Sequence, residues 1–284
     1  MSVKLEDFAT KQELFAYLAT NEKRLTAEKR FKPTKKYVDF GTVSDTPTKT
    51  ATTKADGQPL QVSESEEDSI ERTIIGNTFG WCDSQMDVLF SGCATKSIKE
   101  NGAKGKDLIY HLQDHETCME DRVGYLGDIY EREFSLTDLG LNMAGTTKCL
   151  VFDTSVKKYL NESLYYQYRD GKVKQHSIGL QYVKIFMCIN DPNQGEFFTN
   201  WNKYFQDVIN KDTVLASGYF WAVTEIKLFE VSSVLWGSNG LTNTLEPEQK
   251  NSEPAQKATQ NISQPTVEVT DVVVTDKIKN LKFF

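Results

Sequence analysis

Stretches of the chain with a clear hydrophobic rhythm alternate with stretches that have none. Thr10-Lys11-Gln12-Glu13 reads as a capping box, and Leu14, Phe15, Tyr17 and Leu18 follow as an apolar stripe at helical spacing. This predicts a helical arm within residues 1–41, either packed on its own domain or docking a partner. Residues 42–69 are rich in Thr, Ser, Asp, Glu and Lys and hold almost no core-forming side chains, so they read as a polar linker. Apolar runs resume near Ile70. Thr73–Phe79, Val88–Phe90, Lys106–Tyr110, Val123–Tyr130 and Leu139–Met143 are strand candidates. Val156, Tyr159, Leu160, Leu164 and Tyr168 lie at helical spacing, with Thr154 or Ser155 as cap and Gly171 as terminator. A second helix is predicted after Asp191-Pro192, burying Phe197, Trp201, Tyr204, Phe205 and Val208, and Gly218 to Leu235 reads as one long strand-rich segment. Residues 243–284 form a polar tail ending in short apolar clusters. The expected fold class over 70–242 is α+β, its strands making a barrel or a packed sheet.

Composition narrows the function classes. The chain has 284 residues, 39% hydrophobic and 26% charged, which suits a globular core plus some polar length. Its net charge of −7 and the lack of an evident basic patch argue against nucleic acid as partner. No apolar run approaches the ~20 residues of a membrane-spanning helix, and the N-terminus lacks the apolar core of a signal peptide. The five cysteines form no CxxC pair, so neither a disulfide framework nor a structural zinc site is expected, and a reducing cytosolic setting fits. No cofactor is implied.

Three segments from separate parts of the domain supply a base, a nucleophile and an acid: Asp114-His115-Glu116, His176 to Leu180, and Leu228 to Val234. In the second, strand alternation puts Ile178, Leu180 and Tyr182 on one face and Gln175, Ser177, Gly179 and Gln181 on the other. That second face is small and polar, with Gly179 leaving room for a peptide backbone. His176 points away from Ser177 by the same rule. The base is then His111 or His115, since the chain has only three histidines. In the third segment, Glu230 falls in a row with Ile226, Leu228 and Val234 on a strand apolar on both faces. A carboxylate there needs a partner, and an imidazolium is a natural one. Glu225, on the opposite face, is the reserve acid. A metal site using His111, His115 and a carboxylate such as Asp114 competes, although Leu112 stands where the zinc-protease pattern requires Glu.

The order of these segments resembles the prohead (head-maturation) proteases of tailed phages, relatives of the herpesvirus assembly protease. The resemblance spans roughly Ile70 to Thr242. Gly76-Asn77-Thr78-Phe79 with Asp83, Asp87, Gly92 and Lys96-Ser97-Ile98 is similar to the family's opening pattern. Asp114-His115-Glu116 with the later Val123-Gly124 resembles its histidine segment, and Gly140-Leu141-Asn142-Met143 its Gly-Leu strand. Asp170-Gly171 with Ser177-Ile178-Gly179-Leu180 resembles its nucleophile segment. Leu228-Phe229-Glu230-Val231-Ser232-Ser233-Val234 resembles the Leu-x-Glu-Val-Ser-x-Val strand.

This resemblance implies a herpesvirus-protease-like fold, a mostly antiparallel β-barrel with surrounding helices, for a serine endopeptidase. Ser177 would be the nucleophile and His115, which matches the motif position better than His111, the base. The herpesvirus relatives use a second histidine as third member. This chain has none after Ser177, so an acid, Glu230, would take that place, or water would serve. The implied substrates are a scaffolding protein, the major capsid protein and the protease itself, inside the viral procapsid in the host cytoplasm, and a homodimer is among the implied assemblies. Two other readings remain at this level: a catalytically silent capsid-assembly protein of the same fold, and the metal-dependent hydrolase.

Overall fold

The computed structural model describes residues 3, 5–31, 34–35 and 68–245. Most of the polar segment 42–69 and of the tail 243–284 lies outside those residues. The elements are α1 (Lys11–Phe31), β1 (Thr34–Lys35), β2 (Ser69–Thr78), β3 (Asp87–Leu89), α2 (Thr95–Asn101), β4 (Tyr110–Gln113), β5 (Arg122–Ser135), β6 (Thr146–Lys157), α3 (Glu162–Arg169), β7 (Gln175–Ile189), α4 (Glu196–Tyr204), α5 (Lys211–Ser217), β8 (Tyr219–Val234) and β9 (Thr244–Leu245). The fold is mixed α and β. Its sheet runs β1-β7-β8-β4-β5-β6-β2-β9, with β3 also on β8. The ladder is an open path, so the closed barrel among the expectations is not what the described strands form. Pairing is antiparallel except where β3 and β4 lie parallel to β8. No helix among the described residues is long and apolar enough to cross a membrane.

β8 is the spine. β7 pairs along nearly its whole length on one side, while β3 and β4 take opposite ends of the other. The gap between β3 and β4 would leave backbone groups of β8 unmet. The segment entering α2 fills it: the Ile226 N–H donates to the Cys93 carbonyl at 2.9 Å, and the Leu228 N–H donates to Ser97 Oγ at 2.9 Å. Across the core, β2 approaches β7 so closely that a Cβ on Gly76 would lie 2.5 Å from the Phe152 ring and 3.1 Å from Ile178.

Helix α1 belongs to this same core. Thr10 Oγ1 accepts the Glu13 N–H at 3.2 Å, and Glu13 reaches back to the Ala9 N–H at 3.1 Å, one residue beyond the expected capping box. Leu14, Phe15, Leu18 and Leu25 are buried with Ile178, Leu180 and Tyr182 of β7. Near its end Lys29 Nζ donates to the buried Asp87 at 2.6 Å, and Tyr182 donates to the other Asp87 oxygen. A buried carboxylate held this way ties α1 to the sheet, because removing the cation would strand the charge.

Three sequence expectations shift. The helix expected from Thr154 begins at Glu162, capped by Asn161 accepting the Leu164 N–H at 3.0 Å. Residues up to Lys157 instead continue β6, which is paired on both sides by β2 and β5. The Leu139–Met143 run is a turn with Gly140 at φ 87°. The strand at the first histidine starts at Tyr110, so Lys106 to Ile109 precede it.

Candidate active site

Strand register sorts the candidate residues onto two faces of the sheet. Ser177 lies opposite Ser232, and Gly179 opposite Glu230. Across β8, Tyr110 pairs with Glu230 and Leu112 with Ser232, and Leu112 in turn pairs with Arg122 of β5. Paired residues share a face and side chains alternate along a strand. Ser177, Gly179, Glu230, Ser232, Tyr110, Leu112 and Arg122 therefore line one face. Ile178, His176, Val231, Ser233 and His111 line the other.

Glu230 reaches its face through a β-bulge. Between Gly179/Glu230 and Leu180/Leu228 the register shifts by one, leaving Phe229 as the extra residue. Leu228 and Ile226 are buried in the core cluster, whereas Phe229 and Glu230 line the cleft on the other side. The expected row of Ile226, Leu228 and Glu230 is thus broken. Gly179 makes the new position possible: a Cβ there would sit 1.9 Å from Glu230 Oε1.

His115 comes from the turn after β4. Asp114 and His115 both adopt left-handed backbone, at φ 48° and 60°, a conformation that costs roughly 1–3 kcal/mol per non-glycine residue. Two hydrogen bonds fix the turn: the Asp114 N–H donates to the Ser233 carbonyl at 3.0 Å, and the His115 N–H donates to Ser232 Oγ at 3.0 Å. His115 Nδ1 then lies 2.7 Å from Glu230 Oε1, while Ser232 donates to Glu230 Oε2 at 2.6 Å. Ser232, which sequence reasoning did not nominate, holds both His115 and Glu230. Its only signal was its place in the Glu-Val-Ser stretch, two residues beyond Glu230 and so on the same face of a strand.

Ser177, His115 and Glu230 are all buried, at 2, 1 and 5% exposure, so any charge that develops among them is weakly screened. A cleft of about 490 Å³ opens beside His115 and Glu230, lined by these two and Gly179 together with Tyr110, Leu112, Phe229 and Arg122; Ser177 is not part of its lining.

The reserve residues lie elsewhere. His111 faces the opposite side from His115, with Nδ1 2.9 Å from Thr154 Oγ1 and Nε2 3.1 Å from both the Tyr168 and Ser233 hydroxyls. Burial lowers its pKa to about 3. His176 stacks on Tyr168, with Nε2 2.8 Å from that hydroxyl, and burial, then the neighbouring His111, hold it well below its ordinary value. Both are neutral core groups, and His176 faces away from Ser177, as strand alternation predicts. Glu225 is hydrogen-bonded to Lys184, which lowers its pKa, and lies further back along β8. Because His111 and His115 point to opposite faces they cannot share a metal ion. Among the described residues no three His, Cys, Asp or Glu side chains come together as a metal site. Comparisons with family models, curated proteins and solved structures find no match to this chain.

Proposed function

We propose that the chain is a serine endopeptidase in which Ser177 is the nucleophile, His115 the general base and Glu230 the third member. The observation that carries this reading is the 2.7 Å contact between His115 Nδ1 and Glu230, on the sheet face that also bears Ser177. Ser232 links the groups: it lies opposite Ser177 on the next strand and hydrogen-bonds both His115 and Glu230. With Nδ1–H directed at the carboxylate, Nε2 is the nitrogen left to take a proton. Ser177 Oγ would attack a peptide carbonyl and pass its proton to His115 Nε2. The imidazolium, stabilised by Glu230, would then protonate the leaving amine, and water would release the acyl group by the reverse exchange.

The finer assignment is a phage prohead protease with a herpesvirus-protease-like arrangement, acting on scaffold or capsid segments and on its own tail inside the procapsid. Its support is the order of the motifs and the structural sense they make. Asp83 Oδ1 accepts the Gln85 and Asp87 N–H groups, Asp87 anchors α1, and Ser97 braces β8 beside the bulge that turns Glu230 to the cleft. The opening motif thus acts as scaffolding for the site.

The test is co-expression with candidate scaffold and capsid proteins, wild type beside Ser177→Ala, with intact masses of every chain. Removing a triad nucleophile costs on the order of 10⁴-fold or more. Trimming in the wild type alone is expected. Identical trimming in both samples, or no labelling of the wild type by a serine-directed phosphonate, would favour the silent assembly protein.

A further inference from the structure

The cleft beside Glu230 differs in character from the polar groups at its end. Leu108, Leu112, Met119 and Phe229 supply apolar walls, and its volume of about 490 Å³ falls within the ~300–1,000 Å³ usual for sites that enclose a ligand group. Leu108 and Met119 are 48 and 82% exposed, an apolar rim that no other part of the described chain covers.

One cation interrupts this lining. Arg122 lies across the sheet face from Leu112, its guanidinium 4.1 Å from the Tyr125 ring centre and 5.3 Å from that of Tyr110. Its Nε donates to the Gly124 carbonyl at 3.3 Å, and no carboxylate pairs with it among the described residues. In a chain of net charge −7, an Arg held against two rings and facing a cleft presents a pre-organised fork for an anion.

We infer that this cleft is the specificity subsite of the proposed protease and selects a peptide with a bulky apolar residue next to an acidic one. The apolar side chain fills the space between Leu112 and Phe229, and Arg122 receives the neighbouring carboxylate. Continuity with the reactive groups supports this assignment, since His115, Gly179 and Glu230 form part of the same lining. The inference rests on the peptidase reading. Its test therefore measures binding apart from turnover.

Fluorescently labelled peptides carrying Leu-Glu, Ala-Glu or Leu-Lys at their centre are titrated into the full chain bearing Ser177→Ala, and cleavage of the same peptides by the wild type is followed by mass spectrometry. The Leu-Glu peptide should bind at least tenfold tighter than either other peptide. Arg122→Glu should reverse the preference between Leu-Glu and Leu-Lys, and Leu108→Trp, which narrows an exposed rim, should weaken Leu-Glu at least tenfold. Equal binding of all three peptides, or an unchanged preference in Arg122→Glu, overturns the inference even if the wild type cleaves them. Selective binding without cleavage by the wild type supports the peptide subsite and counts against the peptidase reading.

Discussion

Gly179→Ala isolates the geometry on which the site depends. Gly179 has an ordinary strand backbone rather than a positive φ, so alanine adds no conformational strain there. It adds a methyl group 1.9 Å from Glu230 Oε1, 2.8 Å from Cδ and 3.0 Å from Cγ. Restoring a C···O distance of about 3.3 Å requires the carboxylate oxygen to move by roughly 1.4 Å. The bond to His115 Nδ1 starts at 2.7 Å and fails beyond about 3.2 Å, so a shift of that size breaks it. Misplacement by about 1 Å costs about 10²-fold, and loss of the acid's orienting role about 10⁴-fold. We therefore expect the second-order rate of fluorophosphonate labelling at Ser177 to fall by about 10²- to 10⁴-fold. Overpacking should cost only about 1–3 kcal/mol of stability, leaving the fold intact by circular dichroism. A double-mutant cycle with Glu230→Ala separates this cause from simple narrowing of the cleft. In that background the methyl group meets no carboxylate, and Gly179→Ala should cost nothing further in labelling. Labelling of Gly179→Ala within about threefold of wild type would refute the reasoning.

Two more perturbations follow from the same contacts. Ser232→Ala removes the acceptor of the His115 N–H and the donor to Glu230, and should slow labelling by about 10- to 10²-fold, with Ser232→Thr restoring most of the rate; equal rates in Ser232→Ala and wild type would show that Ser232 positions nothing. His111, whose folded pKa is lowered to about 3, stays neutral in the native state while the unfolded chain binds a proton below pH ~6.5, so stability is full above that pH and falls as pH drops toward 3. Between pH 6.5 and 5 this amounts to about 2 kcal/mol, and His176 acts in the same direction. Urea unfolding at the two pH values should show the loss, reduced by that amount in His111→Asn; an unchanged pH slope in that variant would count against it.

Legibility in the sequence depended on whether a segment's surroundings were local. The alternation in β7 was readable because Gln175 to Leu180 runs as an uninterrupted strand. Ile178, Leu180 and Tyr182 lie in the core and His176 turns away from Ser177. Glu230 was read as a carboxylate that needs a partner, and His115 is that partner, but it was placed in the wrong row. The bulge at Phe229 carries no glycine or proline to announce it, and its brace, Ser97, lies 131 residues away in the chain. A single extra residue inverts every side chain beyond it. The helix expected from Thr154 failed for a related reason. The spacing of Val156, Tyr159 and Leu160 imitates a helix, but pairing with β2 and β5 holds those residues up to Lys157 in the sheet, and the cap at Asn161 sets the true start.

The fate of the three histidines turns on what each ring faces. A buried imidazole gains a proton only where something offsets the lost hydration of the charge. His111 is surrounded by hydroxyls, from Thr154, Tyr168 and Ser233, and His176 by Tyr168. Hydroxyls satisfy a neutral ring, yet offset little of the cost of a positive one, and the two rings also oppose each other's ionisation. His115 alone of the three faces a carboxylate among the described residues. His111 and His115 are four positions apart, which on a helix would have set them side by side. A strand that ends at Gln113 and a turn through two left-handed residues send them to opposite faces instead. That turn leaves one histidine as core and gives the other a carboxylate partner, a division no count of residues between them could have shown.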